Sequence, residues 1–525
     1  MDKTNLIDLL IDRFQKYKDL TGMRVDDRSF TYGEIYNYSI NLAKLLKKIE
    51  VNSEAVGVVG QRSAASYFSI LGIIFAGCHY VPINLKYDDQ KKSKIIRDSK
   101  IRVLVGSPED LESINSSIDL ANLNIIDYLI TPYGKFEDKS SHWLDERDCN
   151  LMNKSNLNGK NESTLAYVMY TSGSTGNPKG VMVTKANLLS WIENMNYLYP
   201  KGIGFIASQT YDLSFDLSVA DIFFTFINGG VLSVLSEKEQ LMPFDYINNE
   251  KIEFWSSVPT LVSFMHKMNF LKPNSFPSIK TSLFCGEPLP KSLADAWMIA
   301  APNSTIENLY GPTEATIWLT RYIYEPEHKG ETFTNNNLPI GKPFKKHNIE
   351  LIDKNENIVM DGSSGEIIYK GPQITLGYLN DKTKTDSVFK TFLWDKSKSI
   401  WYKSGDIGKY NNVGYLECLG RTDSQIKIAG RRIELGELEA SLRSIKDLDD
   451  IVIVAVKDSE NRVKNLIGYT MNNIDEKDIL QFRKDSSKNI ESIFFPKHII
   501  HIDKFPITPS GKTDRKKLES LANEL

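Results

Sequence analysis

Long apolar runs are missing from this chain. No stretch approaches the roughly 20 consecutive apolar residues that a membrane-spanning helix needs. The opening MDKTNLIDLLIDRFQKY mixes charge into its apolar positions, so it reads as an amphipathic helix and not as a signal peptide. Cysteine is also scarce. Cys78, Cys149, Cys285 and Cys418 lie far apart without ligand spacing, which excludes a disulfide framework and a zinc site of the usual kind. Reduced thiols in the cytoplasm are the expected setting. Charge of one sign is lacking as well: the formal net charge is −3, which gives no reason to expect nucleic acid or a membrane surface as partner. The Lys-rich stretch Lys91 to Lys94 then reads as a solvated face.

What is present describes a soluble globular protein. Hydrophobic residues make up 41% of the chain and charged residues 25%. At 525 residues it exceeds the size of a single ordinary core, so two or more domains are expected.

The stretch Tyr170 to Gly180, YTSGSTGNPKG, organises the rest. An apolar run, Leu165 to Tyr170, leads in; Val181 to Val183 leads out; and Leu188, Ile192 and Met195 follow at helical spacing. The stretch is therefore a loop between two strands. Gly173, Gly176 and Gly180 let its backbone fold tightly and aim N–H groups at an anion. Thr171, Ser172, Ser174 and Thr175 add hydroxyl donors, and Lys179 adds a mobile positive charge. Such a loop grips phosphate. It is not a Walker A loop, which ends in Gly-Lys-Ser/Thr and opens a helix; here Pro178 precedes the lysine and Gly180 follows it. A Ser/Gly linker has the same composition, but linkers rarely lie between two apolar strands.

Strand-like runs Ala55 to Val59, Tyr80 to Ile83 and Arg102 to Gly106 alternate with helical runs Ala64 to Phe75 and Asp88 to Asp98. That rhythm predicts an α/β layering with buried parallel strands. It resumes after the loop, with strands near Phe205, Val231, Phe254 and Leu283. In such sheets ligands bind at the carboxyl ends of the strands. There the sequence places Asp216 in FDLSVADIF, Ser256 in WSSVPT, Cys285 to Pro288 in LFCGEPLP, and Asn308 to Trp318 as NLYGPTEATIW. Taken alone, Asp216 is an N-cap and Gly286-Glu287-Pro288 a turn. Cys285 has no His close in sequence to activate it, so it reads as a packing residue. Tyr310 offers an aromatic face for a base. Thr313 and Glu314 bring a hydroxyl and a hard oxygen ligand suited to Mg²⁺. YKSGD puts Asp406 after a Gly turn, where it can accept two ribose hydroxyls.

The alternation ends at GYLECLGRTDSQIKIAGRRIE, Gly414 to Glu434. Beyond it a helix over Leu435 to Leu442 and strands Ile451 to Val456, Leu466 to Met471 and His498 to Ile502 predict a small α+β domain. Near the end, PITPSGKTDR carries Lys512, which on its own reads as a surface charge.

Together these motifs resemble the adenylate-forming superfamily: acyl-CoA synthetases, luciferases and the amino-acid adenylation domains of nonribosomal peptide synthesis. FTYGE (Phe30 to Glu34) and FAGCHYVPI (Phe75 to Ile83) resemble its first two, structural, motifs, and the resemblance runs through nearly the whole chain. It implies a large N-terminal multi-sheet α/β domain, residues 1–422, and a mobile C-terminal α+β lid, residues 423–525, turning about Asp423. The residues at Gly430, Arg431 and Arg432 match a loop that faces the site only after the lid rotates.

The implied chemistry consumes ATP with Mg²⁺. A carboxylate attacks the α-phosphorus, giving an acyl-adenylate and pyrophosphate, and a phosphopantetheine thiol then takes the acyl group. By resemblance, the Thr171 to Lys179 loop cradles the β and γ phosphates and Glu314 holds the metal. Gly286, Glu287, Pro288, Asn308, Tyr310, Gly311 and Thr313 line the nucleotide pocket. Asp406 binds ribose, Arg421 contacts ribose or phosphate, and Lys512 bridges the carboxylate and the α-phosphate. YKSGD departs mildly from the usual form, having Lys403-Ser404 where Arg-Thr is common.

Asp216 matches the carboxylate that pairs with an amino-acid ammonium. The family's specificity positions fall on Asp216, Leu217, Ala220, Ser256, Leu283, Cys285, Leu309, Ile317, Trp318 and Lys512. Leu309, Ile317 and Trp318 resemble glycine-activating pockets, in which an indole fills the side-chain space. FDLSVADIF with FCGEPLP resembles D-alanine:carrier-protein ligases, which lack that Trp; glycine is therefore favoured over D-alanine. A short-chain acyl-CoA synthetase is the weaker alternative, because an acyl chain would leave Asp216 buried and unpaired. A non-catalytic nucleotide-binding protein is argued against by Lys512, Glu314 and Asp406 all being intact. No GGxS carrier motif follows Lys512 in the sequence, so a phosphopantetheinylated carrier protein acting in trans is expected.

Overall fold

The computed structural model describes residues 5–524 except 26, 52–53, 119–124, 138–142, 151–162, 172–177, 200–201, 237, 327–332, 422–424, 443–447, 449, 459–461, 475, 487–489 and 508–512. Ser172, Gly173, Ser174, Thr175 and Gly176 of the phosphate loop, the hinge residue Asp423 and Lys512 therefore lie outside the described residues.

Two sheets form the bulk of the molecule. In the first, strands run in the order Trp143–Leu144, Tyr128–Ile130, Val103–Val105, Ala55–Val59, His79–Ile83, Leu165–Thr171, Lys179–Thr184, parallel up to Leu165–Thr171 and antiparallel at the last pair. The expected strand-loop-strand around the Ser/Gly stretch is this last pair: Thr171 sits opposite Lys179 and Tyr170 opposite Gly180. The helix Lys185–Leu198 follows directly, capped by a reciprocal Thr184–Asn187 pair.

The second sheet has nine strands, and its centre is parallel. From Ile206–Gln209 the chain moves to Val231–Val234 on one side, whereas Phe254–Ser257 lies on the other, followed by Thr281–Phe284 and Thr305–Tyr310. Strand order reverses at that point, which opens a crevice beyond the carboxyl ends of Ile206–Gln209 and Phe254–Ser257. The apolar faces of the two sheets meet in one core in which Phe68, Tyr167, Trp191, Phe223 and Trp318 are all buried.

The α/β alternation stops earlier than the sequence predicts. Residues from Asn348 to Arg421 form an antiparallel sheet in which Trp401–Tyr410 is the long central strand. Asp406 consequently does not follow a turn. It sits within the strand, beside Gly405 at φ +74°, where the pairing with Gly365–Lys370 shifts register; a bulge there re-aims the carboxylate.

From Gln425 onward the chain makes a hairpin, Gln425–Ile428 with Arg431–Glu434, and a three-stranded sheet of Val452–Lys457, Val463–Thr470 and His498–His501. The helix Leu435–Leu442 is where the sequence expects it. No hydrophobic cluster among the described residues mixes side chains from before and after 422–424. Among them, no helix is long and apolar enough to cross a membrane.

Candidate active site

The crevice is closed over by the hairpin turn, leaving a cavity bounded by Thr171, Asp216, Cys285, Tyr310, Asp406 and, from the hairpin, Lys427. Thr171, Cys285 and Tyr310 stand at the ends of strands and Asp216 at the start of a helix, whereas Asp406 and Lys427 project from within strands. Asp216 opens the helix Asp216–Ile227, but Phe215 is the N-cap and makes no side-chain cap bond. The N-cap reading of Asp216 is thereby corrected. Its Oδ2 instead accepts a hydrogen bond from the backbone N–H of Ile317 at 3.1 Å. Burial pushes its pKa up to about 7, against the opposing hydrogen bonds from Ile317 N–H and the Thr313 hydroxyl. A buried carboxyl so poised gains from a cationic group entering the cavity.

Cys285 lines the same wall, and burial pushes its thiol up to about 12, so it is no nucleophile at neutral pH. On the far side, Asp406 Oδ1 accepts from Arg421 Nη1 at 2.6 Å and Oδ2 accepts from the hydroxyl of Tyr310. Arg421 also donates to the Ser404 carbonyl at 3.2 Å. This trio holds the carboxylate rigidly, and each oxygen retains a lone pair for a further donor.

Beneath the rim, Glu314 is completely buried, and its Oε1 accepts from the hydroxyl of Tyr378 at 2.7 Å. The ammonium of Lys179 stands 5.6 Å above the Tyr378 ring. Backbone bonds from Leu379 N–H to Gly180 O (2.7 Å) and from Met182 N–H to Gly377 O (3.0 Å) tie this segment to the strand leaving the phosphate loop.

The hairpin docks through Glu287, whose Oε1 accepts from Gly430 N–H at 2.7 Å while Oε2 accepts from Thr260 N–H at 3.0 Å and Thr260 Oγ1 at 2.6 Å. Arg431, paired with Glu491, lies 5.8 Å from the Phe215 ring.

Against known proteins, the pattern described as AMP-binding enzyme matches residues 10–379. The chain belongs to this family. It is 30% identical over 526 residues to the D-alanine--D-alanyl carrier protein ligase of Bacillus velezensis, covering 97% of this chain and 98% of that one. It is also 30% identical over 523 residues to polyketide synthase PksN of Bacillus subtilis, covering 97% of this chain but 9% of that protein. The chain thus spans under a tenth of the length of some relatives and nearly all of others. Among solved structures, the Vibrio cholerae adenylation domain AlmE in complex with glycyl-adenosine-5'-phosphate matches with a TM-score of 0.84 at 26% identity, covering 99% of this chain and 98% of that one. The fold is that of the adenylate-forming adenylation domains.

In this AMP-binding enzyme not every residue singled out by sequence reaches the cavity. Leu217, Gly286, Gly311 and Thr313 line it with the residues above. Ala220, Ser256, Leu283, Leu309, Ile317 and Trp318 are buried and do not line it. Pro288 is exposed. Asn308 spends its amide on the carbonyls of Leu338 (3.2 Å) and Pro339 (2.8 Å), so its side chain braces a loop where sequence suggested nucleotide contact. Several cavity-lining or rim residues escaped the sequence reading, among them Asn84, Tyr87, Ser214, Lys427 and Glu491, and Lys91, read from sequence as part of a solvated face, lines the cavity as well. Lys427 had a signal: Ile426 and Ile428 pack into the small core, and strand alternation puts the residue between them on the opposite face. Tyr378 had none, because a tyrosine in an irregular segment carries no periodicity.

Proposed function

We propose that this AMP-binding enzyme activates a small amino acid, glycine in preference to D-alanine, as its aminoacyl-adenylate and then passes the aminoacyl group to the phosphopantetheine thiol of a separate carrier protein. The observation that carries this reading is Asp216: buried, not capping its helix, and presented to a cavity that also holds Lys427 and the Asp406–Arg421 pair. A cationic amino group on the substrate satisfies that carboxylate, whereas a plain acyl chain would leave it unpaired at a cost of roughly a few kcal/mol.

In the first half-reaction a carboxylate oxygen of the amino acid bonds to the α-phosphorus of ATP as the bond to the bridging oxygen breaks and pyrophosphate departs. The chain's part is positioning and charge neutralisation. The Thr171 to Lys179 loop holds the β and γ phosphates, Tyr310 faces adenine, Asp406 accepts from ribose, and Lys512 bridges the carboxylate and the α-phosphate. Mg²⁺ is usually held by one or two carboxylates together with substrate phosphates. Glu314, oriented by Tyr378 next to the loop, fits that donor set, and the metal would there neutralise phosphate charge.

In the second half-reaction the thiol sulfur attacks the carbonyl carbon, AMP leaves, and the proton goes to solvent or a nearby base. We assign residues 423–525 to a lid that turns about Asp423, withdrawing Lys512. The Gly430–Glu287 bond is the kind of contact expected in the transfer pose.

Glycine is favoured because Ile317, whose N–H bonds to Asp216, and its neighbour Trp318 are both buried, and an indole packed at that point works against a substrate side chain. The glycyl-adenylate bound to AlmE supports the same choice, while the D-alanine ligase relatives support the alternative. Amino-acid-dependent pyrophosphate exchange tests the proposal.

A further inference from the structure

The buried turn that gives Asp216 its hydrogen bond is conformationally costly. Thr316 and Ile317 adopt φ of +56° and +72°, a region that β-branched residues avoid. Such backbone persists only where its surroundings over-determine it. Besides the backbone bonds from Thr316 N–H to Thr313 O and from Leu319 N–H to Tyr310 O, both 3.0 Å, one side chain gathers the carbonyls of this turn. Gln373 is completely buried, and its Nε2 donates toward the carbonyls of Trp318 (2.9 Å), Thr316 (3.2 Å) and Ala315 (3.3 Å). In return the Thr316 hydroxyl donates to the Gln373 carbonyl at 2.6 Å.

Gln373 is itself held. Asn194 Nδ2 donates to its Oε1 at 3.1 Å, and Asn187 Nδ2 donates to the flanking carbonyls of Pro372 (2.8 Å) and Ile374 (3.0 Å). Both asparagines lie on the helix Lys185–Leu198. Between them Trp191 meets Trp318 edge to face, with centroids 5.4 Å apart at 74°. Asn187, Trp191 and Asn194 are four and three residues apart, so they share one helix face. That face, through Gln373, fixes the turn that gives Ile317 N–H to Asp216 and sets the Trp318 indole.

We infer that Gln373 is a positioning residue for substrate selection: it touches no substrate but fixes both the carboxylate that meets the amino group and the indole that excludes a side chain. This rests on the reading of Asp216 and Trp318 given above. The test uses the full chain and pyrophosphate exchange with glycine, alanine and valine. Gln373→Met keeps the volume and removes the donors; it is expected to raise KM for glycine about tenfold and cut selectivity for glycine over alanine about tenfold, with KM for ATP within about twofold. If that variant does not fold, Asn194→Ala loosens the same bracket and is expected to shift both readouts about threefold in the same direction. A folded variant with unchanged glycine KM and selectivity overturns the inference, as does a fall in kcat alone. Trp318→Ala separates the two levels. If it admits larger amino acids while Gln373→Met does not, the inference falls and the pocket reading stands; if neither widens the profile, the pocket reading falls and takes the inference with it.

Discussion

Ile317 donates its backbone N–H to the Asp216 carboxylate across 101 residues of sequence, at 3.1 Å. The bond joins the start of one helix to the turn after Thr305–Tyr310, and so makes the acidic group part of the pocket wall. Removing the charge while keeping the shape, as in Asp216→Asn, is expected to lower glycine-dependent exchange about 100-fold or more, since losing one partner of a buried charge pair costs about 2–5 kcal/mol. Binding of ATP measured by calorimetry should survive.

The same carboxyl sets a pH dependence. Its pKa is raised to about 7 by burial, so below that pH it is protonated and cannot pair with an ammonium. KM for glycine should rise as pH falls from about 8 to 6, and the Asn variant should lack this trend. Stability carries the matching sign. In the folded chain without substrate the proton is held up to about pH 7, whereas the unfolded chain releases it near 3.8. Unfolding thus releases a proton between these values, and the ligand-free protein loses stability as pH rises through the window. Melting curves at pH 5 and 8 should show a smaller drop for Asp216→Asn.

Trp318→Ala should open the pocket. The indole is fully buried against Trp191, so the variant will melt at lower temperature, with a loss of about 3–5 kcal/mol. Its substrate profile should nevertheless extend to alanine and valine, with glycine preference reduced about tenfold. An unaltered profile in folded protein would show that another group bounds the pocket.

Gly430 should separate the two half-reactions. Its φ is +75°, and a Cβ there would lie 2.4 Å from Val258 Cγ1. Gly430→Ala strains the turn that docks on Glu287, by about 1–2 kcal/mol. Transfer to a carrier thiol should slow about tenfold while exchange changes less, which single-turnover assays of each step can measure.

Lys512→Ala should lower exchange about 100-fold or more, as losing one preorganised charge donor does, with nucleotide binding retained. Equal exchange by variant and parent would remove this lysine from the first step.

Sequence made the architecture legible where periodicity was strong. Ala55–Val59, Ala64–Phe75 and Leu435–Leu442 stand where the apolar pattern puts them. The antiparallel sheet around Trp401–Tyr410 was not legible, because WYKSGDIGKY shows no regular apolar alternation in its residue types and its pairing with Gly365–Lys370 shifts register at Glu366 and Ile368. Site residues carried by local motifs, such as Asp216, Tyr310 and Asp406, were recognisable. Those that act through tertiary contact were not: Gln373 and Tyr378 gain their roles from bonds to a turn about 60 residues away, and local pattern holds no trace of that. Asp216 shows the converse. Its position favoured a helix cap, but Phe215 holds that place and Asp216 accepts the Ile317 N–H instead.

On this reading the chain activates a small amino acid through a carboxylate–ammonium pair. Pyrophosphate exchange across glycine, D-alanine, L-alanine, valine, acetate and a long-chain acid tests it most directly. The highest kcat/KM is expected with glycine and only background exchange with acetate; acetate or the long-chain acid outpacing every amino acid would rule out the carboxylate–ammonium pair.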